Sequence, residues 1–281
     1  MNTRVVFIHR GGPDMASYRY RAALPAHELG KINGYTAQIN GGEADTVIFS
    51  KPMTEDVELA KSVKAQGCRV IVDIGDDHLT HPVIGHDYAA MIGLADVMVT
   101  PTQDMAERIY RVSGKSPVVI PDPYEYPQAA PHAEGNKLLW FVHERNLKPL
   151  RKYLLYTEGW EFTMVTGPND HKGALRWSHN TLLLKLSEAN VVLIPTVKGE
   201  EYKTANRLLN AVRAGCFVVA GNSPSHREFQ SMCWVGDIKH GLEWTRNRQA
   251  DLNGLVAQAQ ADIAERYHPK RIAELWAQVL Q

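Results

Sequence analysis

Short apolar runs and longer amphipathic segments alternate along the 281-residue chain. The runs "RVVFIH" (4–9), "YTAQI" (35–39), "TVIFS" (46–50), "RVIVDI" (69–74), "DVMVT" (96–100) and "PVVIP" (117–121) have strand length. Between them, segments 17–30, 54–66, 86–94 and 102–113 carry helical spacing. This alternation predicts βαβ units and a parallel sheet covered on both faces. The stretch "PDPYEYPQAAPHAEGN" (121–136) has neither period and is rich in proline, which marks a linker. The alternation then restarts with strands at 137–142, 161–166, 190–195 and 216–221 and helices at 146–157, 177–188 and 203–214. The expected architecture is therefore α/β with two Rossmann-like domains facing across a cleft. Residues 1–122 form the first domain, 123–136 a hinge and 137–265 the second. The remainder, 266–281, is a terminal helix. Its apolar residues Ile272, Leu275, Trp276 and Val279 are spaced 3, 1 and 3, one stripe along the helix. Pro269 is expected to end or kink the helical tail.

Composition narrows the function. Lys+Arg and Asp+Glu are both 31, and hydrophobic residues make up 44%. Residues 1–120 hold 12 basic and 14 acidic residues, leaving 19 and 17 for 121–281. Neither part has the basic excess of a general nucleic-acid binder. Cys68, Cys216 and Cys233 form no CxxC, so reduced thiols and a cytoplasmic protein are expected. No apolar run approaches the length of a membrane span.

In open parallel sheets, ligands bind beyond the C-terminal ends of the strands. In the first half those loops are "HRGGPDMASYRYR" (9–21) and "DIGDDHLTHP" (73–82). In the second they are "HERNLK" (143–148), "TGPNDH" (166–171), "PTVKGEEYKTANR" (195–207) and "GNSPSHRE" (221–228). Gly11 and Gly12 lack the rest of G-x-G-x-x-G, which argues against a dinucleotide cofactor. Asp76, Asp77 and His78 read either as a base cluster or as a solvated loop. Their spacing, with His81 and His86, does not suit zinc, and no metal is expected. Arg19 and Arg21 are either acceptor ligands or residues on a solvent-facing helix surface. Lys203 and Arg207 stand near a helix start, where the backbone already carries partial positive charge. Cations there suggest an anionic ligand.

The string "ANVVLIPT…KTANRLLNAVRAGCFVVAGNSPSHREF" resembles the sugar-nucleotide-binding half of GT-B glycosyltransferases of the large glycogen-synthase-like type, family 4. "SYRYRAALPAHELGKINGY" (17–35), the segment 45–78 and "ADVMVTPTQDMAERI" (95–109) are similar to its first half. The family's two glutamates, eight positions apart, are replaced here by Tyr202 and Asn210. The resemblance implies transfer of a sugar from a nucleoside diphosphate sugar (UDP or GDP) to a hydroxyl acceptor, without a cofactor or metal. It implies that the terminal helix, 266–281, crosses back to pack on the first domain, and that Arg145, Lys148, Lys203 and Arg207 meet the diphosphate. Thr166, Gly167, Glu201, Asn206 and Asn210 would meet the nucleoside, and Gly11, Gly12, Arg19 and Arg21 the acceptor. Asp76, Asp77 or His78 would be the base if the anomeric centre inverts; retention, slightly favoured, needs none. The acceptor stays open between a glycan, a small molecule and a hydroxymethylated base in DNA. A non-catalytic nucleotide-sugar-binding or interaction module is the remaining alternative.

Overall fold

The structure is a computed structural model that describes residues 2–167, 172–197 and 202–281, and only the backbone of Arg145. The chain forms two compact units. The first comprises Met1–Tyr124, Tyr202–Thr204 and Tyr267–Gln281. Its strands are β1 (Thr3–Ile8), β2 (Tyr35–Ile39), β3 (Thr46–Ser50), β4 (Arg69–Asp73), β5 (Val97–Thr100) and β6 (Val118–Val119). They pair in the order β2-β1-β3-β4-β5-β6, all parallel. The register sets Val5 beside Thr46 and Ile48 beside Ile71. β3 is buried along its whole length, as expected of a parallel strand covered on both faces.

The first helix is broken. α1 (Ala16–Tyr18) runs into a π-helical turn, Arg19–Ala23, and then α2 (Leu24–Leu29). Pro25, lacking an N–H, sits at the start of α2 and is tolerated there. α3 (Asp56–Ala65), α4 (Gly85–Leu94) and α5 (Gln103–Ser113) follow their strands. Thr102 caps α5 by accepting from the Met105 N–H, and Gly114 ends it in the left-handed region at φ 72.

The second unit comprises Glu125–Glu201 and Ala205–Arg266. It holds β7 (Lys137–Phe141), α6 (Glu144–Leu150), a 3₁₀ turn at Arg151–Tyr156, β8 (Glu161–Thr166), β9 (Leu175–Arg176) and α7 (His179–Glu188). β10 (Val191–Ile194), α8 (Asn206–Arg213), β11 (Phe217–Ala220), α9 (Pro224–Arg227), β12 (Trp234–Val235), α10 (Ile238–Asn247) and α11 (Gln249–Arg266) complete it. Its order is β12-β11-β10-β7-β8-β9, again parallel throughout. The helix expected at 146–157 is instead α6 plus the 3₁₀ turn, with Pro149 inside α6. The helix expected at 203–214 starts three residues later, at Asn206, so Lys203 is not in its first turn.

The proline-rich stretch is a fixed edge of the second unit. The Glu125 and Tyr126 N–H groups donate to Asn210 Oδ1 at 3.0 and 2.7 Å. The Ala130 N–H donates to the Arg213 carbonyl at 3.0 Å, and the His132 ring bonds the Gly215 carbonyl at 2.8 Å.

After α11 the chain returns to the first unit as α12 (Pro269–Leu280). Pro269 ends one helix and opens the next. His268 caps α12, its Nδ1 accepting from the Lys270 N–H at 3.1 Å. Ile272, Trp276 and Leu280 are buried among Val5, Phe7, Ala26 and Leu29.

Candidate active site

Each sheet has a point where successive connections leave in opposite directions. These lie between β1 and β3 in the first sheet and between β7 and β10 in the second. Crevices beyond the C-terminal strand ends at such points are where ligands bind in this class of sheet.

In the first unit, β1 is followed by His9, which is 2% exposed. Its Nδ1 accepts from the Gly11 N–H at 2.9 Å. The ring proton therefore sits on Nε2, 3.1 Å from Ser17 Oγ. Burial, and then the charge of Lys51, lower the His9 pKa and keep the ring neutral. A Cβ on Gly11 would stand 2.2 Å from Met15 Sδ and 2.9 Å from His9 Cε1, so only glycine fits this turn. Gly12 has open space around it. Arg19 donates to the Pro13 carbonyl at 2.8 Å and lies 5.7 Å from the Tyr20 ring centre.

Arg21 is neither solvent-facing nor an acceptor ligand. It is buried, and its guanidinium donates to both Asp73 oxygens at 2.9 and 2.6 Å and to the Ile120 carbonyl at 2.6 Å. A third carboxylate contact, to Asp122, is 3.3 Å. Two residues apart on a helix, Arg19 and Arg21 point to different sides: Arg19 is half-buried, Arg21 buried, within the π turn Arg19–Ala23.

Beyond β4, the Asp76 carboxylate is gripped from two sides. Lys51 Nζ is 2.7 Å from one oxygen and Lys203 Nζ 2.5 Å from the other. Burial alone would raise the Asp76 pKa. Lys203 and then Lys51 outweigh it and hold the carboxyl well below the usual carboxylate range. A carboxylate so strongly held in its ionised form is a weak base, which removes Asp76 as the proton acceptor. Asp77 accepts from Arg108 Nε at 3.0 Å and is engaged in fixing its loop. His78 is half-buried and meets Tyr88 and His81 edge-on at 5.5 and 6.0 Å. Burial lowers its pKa, leaving a neutral imidazole and the remaining base of the three.

In the second unit, β8 ends at Thr166, which is 1% exposed. Its Oγ1 is buried without a protein partner among the described residues. At Gly167, a Cβ would fall 2.2 Å from Glu144 Oε2; the glycine leaves room for that carboxylate. Lys148 is exposed on α6. Glu201 and the side chain of Arg145 lie outside the described residues.

α8 begins without a capping side chain and without an acidic residue in its first turn. Helix starts of this kind attract anions. Asn206 and Arg207 are half-buried there. Asn210 is not available to a ribose. It is 5% exposed, its Oδ1 accepts the two linker N–H groups, and its Nδ2 donates to the Asn206 carbonyl at 2.8 Å. The position points into the unit, one turn past the helix start.

His226, on α9, donates from Nδ1 to the Gly221 carbonyl at 2.9 Å. Burial, with a further push from Arg207, lowers its pKa to about 4. The unfolded chain binds this proton near the ordinary value of about 6.5, the folded chain only near 4. The stability held above the ordinary value therefore falls as pH drops through this window. The loss is expected to reach about 3 kcal/mol. His226→Asn keeps an amide donor for the Gly221 carbonyl. Urea melts from neutral pH down to about 4 should show a shallower loss in that variant; parallel curves would place the titrating group elsewhere.

Two shallow cavities of ≈ 430 and ≈ 490 Å³ border Gly135, Asn136, Trp160, Asn190 and Gly215. These residues precede strands, so both cavities lie at the N-terminal ends of the second sheet's strands, at the opposite end from the switch-point crevice. No group of three or more His, Cys, Asp or Glu among the described residues could hold a metal ion. No described helix is long and apolar enough to cross a membrane.

Sequence reading singled out neither Lys51, His9 nor His226, though His9 and His226 fell within loops it selected. Lys51 directly follows a strand, and the after-strand rule extends to it.

No protein-family model matches the sequence, and no curated protein matches it. The chain has the GT-B glycosyltransferase fold, as its likeness to solved structures shows. It is similar to HepE of Anabaena, solved with UDP and glucose, at a TM-score of 0.76, 10% identity and 99% coverage of both chains. An alpha-glucosyltransferase in complex with UDP and a DNA containing an HMU base matches with a TM-score of 0.70 and 12% identity over 100% of each chain. A glycosyltransferase from Rickettsia africae matches at 0.71 and 8% identity, covering 99% of this chain and 97% of its own.

Proposed function

We propose that the protein is a glycosyltransferase that moves a sugar from a nucleoside diphosphate sugar to a hydroxyl acceptor. The uncapped start of α8, with Arg207 in its first turn, carries this reading. The departing diphosphate gains negative charge as the glycosidic bond breaks, and fixed N–H dipoles and a cation stabilise that charge as it develops. Lys148, Asn206 and Arg145 join Arg207 on the donor side, with Thr166 and Gly167 near the nucleobase. HepE and the alpha-glucosyltransferase, solved with UDP, support a uridine donor. In this reading Arg207 and the helix start do the work a metal does elsewhere, so chelator should leave turnover intact. His78 and the His9–Gly11–Gly12 loop serve the acceptor. Retention of configuration, which needs no strong base, suits the engagement of Asp76 and Asp77. Reduced cysteines agree with a cytoplasmic site of action.

Arg207→Ala is expected to lower kcat/KM roughly 10- to 150-fold, the equivalent of one charge-assisted hydrogen bond. Its melting temperature should change little. Wild-type turnover in the variant would refute the diphosphate assignment.

The alpha-glucosyltransferase bound to HMU-containing DNA favours a second reading, in which the acceptor is a modified base in DNA. Retention on a DNA column that weakens steeply with salt distinguishes it from a small acceptor.

A further inference from the structure

In the first unit two ammonium groups share one carboxylate. Asp76 is 12% exposed, whereas the Lys51 and Lys203 side chains are 27% and 48% exposed. The negative charge is covered and the positive ones reach solvent. Asp77 is matched by Arg108 and Asp56 by Arg10, while Arg21 is shared by Asp73 and Asp122, the second of which burial pushes toward its neutral form. His9 and His78 are neutral. One positive charge is therefore left over, and each ammonium uses one of its three donors on Asp76.

The backbone at Lys51 is strained to achieve this. Lys51 has φ 53, a left-handed conformation unusual for lysine and disfavoured before proline, here Pro52. Its N–H donates to the Asp73 carbonyl at 2.9 Å, which fixes the turn. Such strain clusters at ligand sites.

We propose that Lys51 and Lys203 bind a carboxylate on the acceptor, so that the acceptor is a hydroxy acid of the sugar-acid class. This rests on the glycosyltransferase reading. A single negative charge brings the cluster to neutrality, and a phosphomonoester dianion overshoots it. A DNA phosphodiester is also singly charged, but 12 basic against 14 acidic residues in 1–120 give a nucleic-acid strand no basic track to follow.

The test is a thermal-shift titration with glucuronate, with glucose as the uncharged control, UDP as the donor-side probe and a short duplex DNA as the rival anion. Glucuronate should raise the melting temperature where glucose does not, and added salt should reduce the effect. Lys51→Asn removes the charge with the non-glycine residue that best tolerates positive φ. It should weaken glucuronate about tenfold and leave the UDP shift unchanged, while Lys51→Arg keeps most of the glucuronate effect. Glucuronate behaving like glucose, or binding Lys51→Asn as tightly as wild type, overturns the proposal. So does a shift by DNA in place of glucuronate. A UDP shift without a glucuronate shift leaves the glycosyltransferase reading intact. A glucuronate shift that Lys51→Asn weakens, without any UDP shift, keeps the carboxylate site and removes that reading.

Discussion

Arg21→Met is expected to cost about 3–5 kcal/mol of stability, the usual penalty for removing one partner of a buried ion pair. The guanidinium is enclosed at the C-terminal ends of β4 and β6. Both Asp73 oxygens accept from it, and the Ile120 carbonyl and Asp122 take the remaining edge. Asp73 is 1% exposed and Asp122 6%. Neither carboxylate can turn to water when the cation goes. Burial already raises the Asp122 pKa with Arg21 present. Without it, Asp122 resists ionisation further, its folded pKa rising further above the unfolded one. The variant is then most stable at acid pH, and its deficit opens as pH rises through the carboxylate range. Urea melts at about pH 7 and about pH 5 should show a smaller gap from wild type in the acid condition. A variant of wild-type stability but without transfer activity would return Arg21 to a substrate role.

That residue marks a boundary between what sequence patterning reveals and what it does not. Strands β2, β3 and β8 lie where their strand-length runs put them, at 35–39, 46–50 and 161–166; β3 is buried throughout and reads as consecutive apolar residues, while the edge strand β2 alternates. β9 and β12, two residues each, are too short to have a period. α10 (Ile238–Asn247) lies beyond the loop read at 221–228, in a stretch for which no helix is expected from the sequence. Arg21 and Asn210 carry charge or polarity at helix positions, which suggests solvent or ligand. Their partners lie 52 and 85 residues away along the chain, and no local pattern encodes such contacts. The Lys51–Asp76–Lys203 cluster is hidden for the same reason, since Asp76 and Lys203 are 127 residues apart. The after-strand loops were legible as a neighbourhood; which of their side chains are already engaged was not.

The stripe on the last helix was written in part in its spacing: Ile272 and Trp276 are buried as expected, Leu275 and Val279 only partly, and Ala273, Ala277 and Leu280 complete the buried face. It leads to the second large effect. Trp276→Ala is expected to destabilise the protein by about 3–5 kcal/mol, as expected for emptying a large aromatic site in a core. Trp276 is fully buried, meets Phe7 of β1 edge-on at 5.6 Å and lies 5.6 Å from the Arg21 guanidinium. Tyr35 of β2 donates to the Ala277 carbonyl at 3.1 Å. α12 therefore covers the β1–β2 side of the first sheet, and that face loses its cover if the helix is removed. The Trp276 Nε1–H is itself buried without a protein partner among the described residues. Trp276→Phe removes that unsatisfied donor together with part of the ring. Its cost should therefore be much smaller, about 1 kcal/mol. Deleting 268–281 removes the whole stripe, uncovers the face beneath it and should lower the melting temperature further than Trp276→Ala. Denaturant melts of the three variants give the order directly. Equal costs for Phe and Ala at 276 would mean that ring packing does not set the penalty. A truncated protein that melts with wild type would mean that α12 contributes nothing to the first unit.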